Sequence, residues 1–166
     1  MIEPTVIAAL KNAFPTLTAS EFRGQTRVVA PPESVFDVLE TLKHQHGFDM
    51  LADLTCVDYL LYRGATDRYG LVYVLTNTQS NERIVVRVFV NDPEPTVPSA
   101  VPLWEGANWL EREVWDLFGI RFAGHPDPRR VVLPEVFASH PLRKDYPLQG
   151  LGERHNIPPV RRGEEN

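Results

Sequence analysis

After Gly119 the chain carries seven prolines in its last 47 residues. Each proline fixes φ and removes a backbone donor, so no helix or long strand can run through such a stretch. Only Arg130 to Leu133 reads as a short extended run. Yet the stretch is rich in large apolar residues, among them Ile120, Phe122, Val132, Phe137, Leu142 and Leu148, whereas a disordered linker is poor in them. The expectation is an extended arm, residues 120–166, that lays these side chains on another protein. Burying four or five of them would contribute on the order of 10 kcal/mol before the ordering cost is subtracted, and the prolines reduce that cost by stiffening the free chain.

Residues 1–119 read as one α+β domain. Val6, Ile7, Leu10 and Phe14 mark one face of a helix over Pro4 to Phe14. Phe22 and Arg27 to Ala30 suggest a hairpin around Arg23-Gly24-Gln25. A second helix over Pro32 to His46 carries acids early and Lys43 and His44 late, as the helix dipole favours, and Gly47 is its stop. Strands are expected at Asp53 to Leu61, Tyr69 to Asn77 and Arg83 to Val90, the last alternating Ile84, Val86, Val88 and Val90 against Arg83 and Arg87. Short turns between them make an antiparallel meander. The loop Asn91 to Pro102, with four prolines, reads as irregular. A third helix, about Gly106 to Phe118, offers Ala107, Leu110, Val114 and Leu117 for burial. The fold expected is two layers, with helices on one face of a mainly antiparallel sheet.

Composition excludes several functions. With 43% apolar residues the chain can bury a core. It has no apolar run long enough to span a bilayer and no signal-peptide pattern at its N-terminus. Residues 1–120 hold nine Lys and Arg against sixteen Asp and Glu, and the remainder eight against six. An acidic body with a mildly basic tail does not suit nucleic acid. The single cysteine, Cys56, rules out a disulfide framework and any thiolate-cluster metal site; its place in a strand suits an inert buried thiol. A reducing, cytosolic setting follows.

Chemistry-bearing residues are few. Glu111 and Glu113 diverge around a helix and cannot share an ion; Glu113 and Asp116, three apart, could, but no histidine stands at helical spacing to complete a carboxylate–histidine site. His44 and His46 point to different helix faces, while His125, His140 and His155 lie fifteen residues apart, too far for a local ligand motif. No phosphate-cradling glycine loop is present. Arg129-Arg130 and Arg143-Lys144-Asp145-Tyr146 are the leading suspects, because guanidinium groups pin extended segments through bidentate, charge-assisted bonds. These residues are expected to contact a partner.

The run Glu111 to Arg130, ERExxDxFGIxFxGHPDxRR, followed by His140 to Pro147, HPLRKDYP, resembles the complex I 30 kDa subunit family, whose member in bacterial NADH–quinone oxidoreductase is designated C. Where that family usually has tryptophan and glycine before the second motif, this chain has Phe137 and Ser139. The resemblance implies a peripheral-arm subunit on the cytoplasmic side of the bacterial inner membrane, without catalytic residues or a cofactor of its own. FMN and iron–sulfur clusters would lie in other subunits, and electrons would pass from NADH to quinone with proton translocation. It further implies contact with the quinone-site subunit, designated D, and with neighbours such as those designated B and I. The partner contact would fall on Glu111, Arg112, Glu113, Asp116, His125, Arg129, Arg130, His140, Arg143, Lys144, Asp145 and Tyr146. Hydrogenase-type and formate hydrogenlyase complexes contain related subunits and form the alternative reading.

Overall fold

The structure is a computed structural model that describes residues 4–155. The end of the arm, residues 156–166, lies outside the described residues. In chain order the elements are α1 (Pro4–Ala13), β1 (Thr18–Phe22), β2 (Gln25–Val29), α2 (Val35–His46, entered through a 3-10 turn at Pro32–Ser34), β3 (Met50–Asp58), β4 (Tyr69–Thr76), β5 (Arg83–Val90), β6 (Thr96–Pro98), α3 (Ala107–Phe118) and β7 (Arg121–Ala123).

Five strands form one sheet in the order β1-β2-β5-β4-β3. The hairpin and the β3-β4-β5 meander are antiparallel, as expected. The two pieces join through a parallel pairing of β2 with β5, Val28 opposite Val86. The alternation of β4 and β5 sends Tyr69, Leu71, Tyr73 and Leu75 with Ile84, Val86 and Val88 to one side, all fully buried. Each such side chain contributes roughly 1.5–3 kcal/mol by leaving water. Val6 and Leu10 of α1, Val38, Leu39 and Leu42 of α2, and Val114 and Phe118 of α3 complete the same core. The fold is therefore α+β, two-layered, with its helices on one face of a mostly antiparallel sheet.

Four local expectations are corrected. β3 begins at Met50 rather than Asp53, because a bulge between Leu51 and Asp53 resets the alternation. The proline-rich loop contains β6, which pairs in parallel with β7 inside the arm; a short edge strand tolerates proline where the nitrogen, which has no hydrogen to donate, lies on the side away from the ladder. Ile120 and Phe122 are buried in the domain's own core, so the domain does not stop at Gly119. Finally, α3 buries Glu111, Arg112 and Asp116 together with Ala107, Val114 and Phe118, while Leu110 and Leu117 are only half-buried. Its deepest face is partly ionic.

Candidate functional site: the clamp that holds the arm

α3 ends where Gly119 takes the left-handed conformation, φ 78°, and donates its N–H to the Trp115 carbonyl. That turn sends the chain back across the helix, leaving α3 side chains facing the arm. A Cβ at Gly119 would lie 2.7 Å from the His140 ring, so glycine is required both for backbone and for space.

Asp116 is the centre of the clamp. Its Oδ2 accepts the backbone N–H groups of Val131, Val132 and Leu133 at 3.1, 2.9 and 2.9 Å, and its Oδ1 pairs with the Arg130 guanidinium. An irregular segment has no ladder partner for its amides, and a buried carboxylate with several N–H donors supplies one. Burial works to raise the Asp116 pKa, but the three N–H groups and Arg130 outweigh it and hold the carboxyl below its ordinary value. The backbone carbonyl of Asp116 accepts the Nδ1–H of His140 at 2.9 Å. Burial, opposed by that bond, depresses the His140 pKa and keeps its imidazole neutral.

Arg112 works beside it. Its Nε donates to the Arg129 carbonyl at 3.0 Å and its Nη2 to the Arg130 carbonyl at 3.2 Å, and its guanidinium lies over the Trp109 ring. Arg130 lies similarly over Trp115. The planar fork reads two successive carbonyls, which a lysine could not do.

Glu111, with no exposed surface, accepts the Ser99 hydroxyl at 2.7 Å and the Ala100 N–H at 2.6 Å. Burial is the dominant influence and pushes its pKa up to about 7 against those two bonds. His125 Nε2 lies 4.0 Å from that carboxyl and 3.2 Å from the Asn108 carbonyl, while its Nδ1 accepts the Asp127 N–H. The ring is thereby held with its proton on Nε2. An open cleft of about 540 Å³ lies between α3, β7 and the arm, edged by Glu111, Trp115 and Phe122, yet both Glu111 oxygens already have protein donors.

A second anchor ties the HPLRKDYP segment to the tip of β3. Asp58, fully buried at its carboxylate, accepts the backbone N–H of Lys144 at 2.8 Å and of Leu60 at 2.9 Å. Arg68 bridges Asp58 at 3.4 Å, Asp145 at 2.8 Å and Asp92, and Arg143 reaches Asp92 at 3.2 Å. Farther along, the Tyr146 hydroxyl and the Ser139 hydroxyl both donate to Glu153, at 3.0 and 2.8 Å.

Of the twelve residues expected to meet a partner, most therefore bond within the chain. Glu111, Arg112 and Asp116 are buried, a correction with a simple cause: the arm's backbone needs donors and acceptors, and α3 is the nearest source. Arg130, His140, Arg143, Asp145 and Tyr146 join them, Lys144 contributes its backbone, and His125 sits behind the arm. Glu113 and Lys144 are exposed, as is Arg129, whose forked bond to Asp127 is solvated. Sequence reasoning missed Asp58, Arg68, Asp92, Ser99 and Glu153. Asp58 had a visible signal: it occupies the inward period of Leu54 and Cys56, where an apolar residue belongs. What faces outward instead is apolar: Val132, Val136, Leu142, Leu148 and Leu151 are all exposed.

Among the described residues no three His, Cys, Asp or Glu side chains could hold a metal ion, and no helix is long and apolar enough to cross a membrane. Cys56 is buried, and burial, with Asp58 nearby, pushes its thiol pKa up to about 12, which removes it as a nucleophile.

Comparison with known proteins gives this arrangement its context. Residues 28–151 match the family described as respiratory-chain NADH dehydrogenase, 30 Kd subunit. The NADH-quinone oxidoreductase subunit designated C of Trichlorobacter lovleyi is 46% identical over 136 residues, covering 82% of this chain and 83% of its own. The protein of the same name from Roseiflexus castenholzii is 44% identical over 149 residues, covering 87% and 84%. Among solved structures, the trypsin-resistant fragment (1–134) of Nqo5 aligns with a TM-score of 0.67 at 36% identity, over 73% of this chain and 96% of the fragment. A chain of an archaeal membrane-bound sulfane sulfur reductase shares the fold, with a TM-score of 0.74 at 22% identity over 98% and 95%. The class is thus a small α+β subunit of a respiratory complex. The chain belongs to the respiratory-chain NADH dehydrogenase 30 kDa subunit family.

Proposed function

We propose that this chain is a non-catalytic peripheral-arm subunit of an NADH–quinone oxidoreductase, the one designated C in bacteria. The observation that carries the reading is the arrangement of the arm, whose 131–133 amides, Arg130, His140 and the Lys144 amide are fastened inward while Val132, Val136, Leu142, Leu148 and Leu151 face out beside the exposed Arg129 and Lys144. A segment ordered before it meets a partner avoids much of the entropic cost of binding. Burying four or five of these side chains then contributes on the order of 10 kcal/mol gross. FMN and iron–sulfur clusters belong to other subunits in this reading, which carry electrons from NADH to quinone coupled to proton translocation. The arm lies against the quinone-site subunit, designated D, with those designated B and I as neighbours. The chain reaches the cytoplasmic side of the inner membrane only through the complex. The hydrogenase-type alternative draws on shared fold alone, since the sulfane sulfur reductase chain is only 22% identical.

The test is affinity purification of the tagged full-length chain from gently solubilised membranes, with every co-eluting polypeptide identified and NADH–quinone reduction assayed. Recovery with a flavoprotein, iron–sulfur subunits and NADH-dependent quinone reduction is the expected result. Recovery with a nickel-containing subunit and no NADH activity moves the chain to the hydrogenase branch. Recovery alone overturns both.

A further inference from the structure

The sheet has a second face, which no helix or strand of the described chain covers; Tyr59 and its loop cap only the end at Gly70 and Phe89. Its residues run across the strands in register as Arg27–Val85–Val74–Asp53 and, one step along, Val29–Arg87–Val72–Thr55. Valines form a half-buried central strip, with arginines on the β2/β5 side and Asp53 and Thr55 exposed on the β3 side. A shallow cavity of about 380 Å³ lies over the strip between Arg27, Arg83 and Arg87.

Three arginines without a carboxylate partner gather on this face; Arg23, Arg63 and Arg121 also lack one among the described residues, but none of them lines the cavity. Arg68, Arg112, Arg129, Arg130 and Arg143 all lie within ion-pair distance of a carboxylate. Among the described residues Arg27, Arg83 and Arg87 have no carboxylate partner: Arg27 rests over the Phe22 ring, and Arg87 over Phe89 with a bond to the Tyr59 hydroxyl. Three unpaired guanidiniums beside a valine strip, on a body that is otherwise acidic, call for carboxylates from outside.

We propose that this open face is the docking site for an amphipathic helix of a neighbouring protein, its apolar stripe on Val72, Val74 and Val85 and a row of Asp or Glu against Arg27, Arg83 and Arg87. Dimensions suit a helix: strands lie about 4.8 Å apart, so Arg27 of β2 and Asp53 of β3 stand roughly 14 Å apart, with Arg83 and Arg87 one strand nearer on β5, enough to cradle a backbone cylinder with side chains of about 10 Å. The asymmetry of charge fixes which flank of the helix is acidic. A second copy of this chain fits poorly, because it offers the single Asp53 on this face to three guanidiniums. An anionic bilayer fits poorly as well, since Asp53 and the acidic body oppose it. The proposal rests on the chain working within an assembly, and is otherwise independent of the arm.

The test places a photo-reactive benzoylphenylalanine at Thr55 or at Gln25, exposed positions on opposite sides of the strip, in the full-length tagged chain within its native complex. Cross-links from both positions to one helix of another polypeptide, with carboxylates on the flank facing Gln25, are expected. The Arg27→Glu/Arg83→Glu variant should lower their yield at least tenfold while the chain still co-purifies through its arm. Cross-links to lipid, to residues 156–166, to a second copy or to nothing, from a chain that co-purifies with the complex, overturn the docking site and leave the proposed function standing. A chain that enters no complex overturns both.

Discussion

Asp116 Oδ2 accepts the backbone N–H of Val132 at 2.9 Å, joining α3 to a segment sixteen residues downstream. The neighbouring amides of Val131 and Leu133 converge on the same oxygen. Three successive N–H groups facing one anion form a concave nest of the kind that binds phosphates elsewhere; here the anion is the chain's own. The irregular stretch of the arm beyond β7 thus acquires a fixed conformation, and its apolar side chains acquire a fixed direction.

Asp116→Asn should release residues 131–133 while leaving the sheet intact. Replacing a charged acceptor of several hydrogen bonds with a neutral amide costs about 2–4 kcal/mol locally. Hydrogen exchange of the 131–133 amides is expected to quicken by about two orders of magnitude, with little change in β4 and β5. The same bond predicts pH behaviour. A depressed carboxyl pKa stabilises the clamp above the unfolded value, about 3.9, and that contribution is lost as pH falls through the folded value. Uniform exchange changes across the domain would remove Asp116 as a local clamp.

Glu111 should act with the opposite sign. Its folded pKa is raised to about 7, so between the unfolded value near 4.3 and pH 7 the folded state holds a proton that the unfolded state has lost. Stability contributed by this group is complete below the unfolded value and declines as pH rises to about 7. The shift corresponds to at most about 4 kcal/mol. Thermal melts of wild type and Glu111→Gln between pH 5 and 8 check it. The wild-type midpoint should fall relative to the variant's as pH rises; parallel curves would contradict the assignment.

Gly119→Ala should be worse than Gly24→Ala, although both glycines have φ near 77°. Each substitution incurs roughly 1 kcal/mol for the left-handed backbone. At Gly24 nothing lies within 4 Å of the added methyl, whereas at Gly119 it meets the His140 ring and displaces that ring from the Asp116 carbonyl. Denaturant melts of the pair should therefore differ by about 1 kcal/mol or more, with exchange at residues 140–146 quickened only in the Gly119 variant.

A chain ending at Gly124 should fold, and one ending at Gly119 should be much weaker. Ile120 is fully buried and Phe122 nearly so, and β7 supplies the partner of β6. Deleting two such side chains costs about 5 kcal/mol or more. Comparable cooperative melts for both truncations would return the domain boundary to Gly119.

Much of the fold is legible because periodicity reports burial directly: β5 can be read to the residue and β4 within one, since inward and outward positions differ in polarity. The parallel joint between β2 and β5 cannot, because its partners lie more than fifty residues apart and leave no local trace. The clamp is half legible. Arg112, Asp116, Arg130 and His140 stand out as an unusual set, but their direction depends on where the arm's unpaired amides lie, which only the turn at Gly119 decides. Reading α3 by its apolar residues alone finds Ala107 and Val114 but adds Leu110 and Leu117, when Glu111, Arg112 and Asp116 hold the other buried positions with Phe118. A buried charge looks like a surface charge until its partners are known.

Leu142 and Leu148 separate assembly from folding. Both are exposed, so Leu142→Ser/Leu148→Ser should change the stability of the isolated chain by no more than about 0.5 kcal/mol per site. In the assembly reading each contributes roughly 1.5–3 kcal/mol when covered, so the double variant should lower incorporation into the complex by about a hundredfold or more. Co-purification of tagged wild-type and variant chains expressed together measures the ratio directly. Asp116→Asn should also weaken incorporation, through a different route: its apolar residues are intact but no longer held in one orientation. Combining the two tests whether direction matters. If the clamp only orders the arm, Asp116→Asn loses most of its effect on incorporation once the leucines are gone, and the double-mutant cycle shows strong coupling. Additive losses would mean that Asp116 supports assembly by some means other than aiming these side chains.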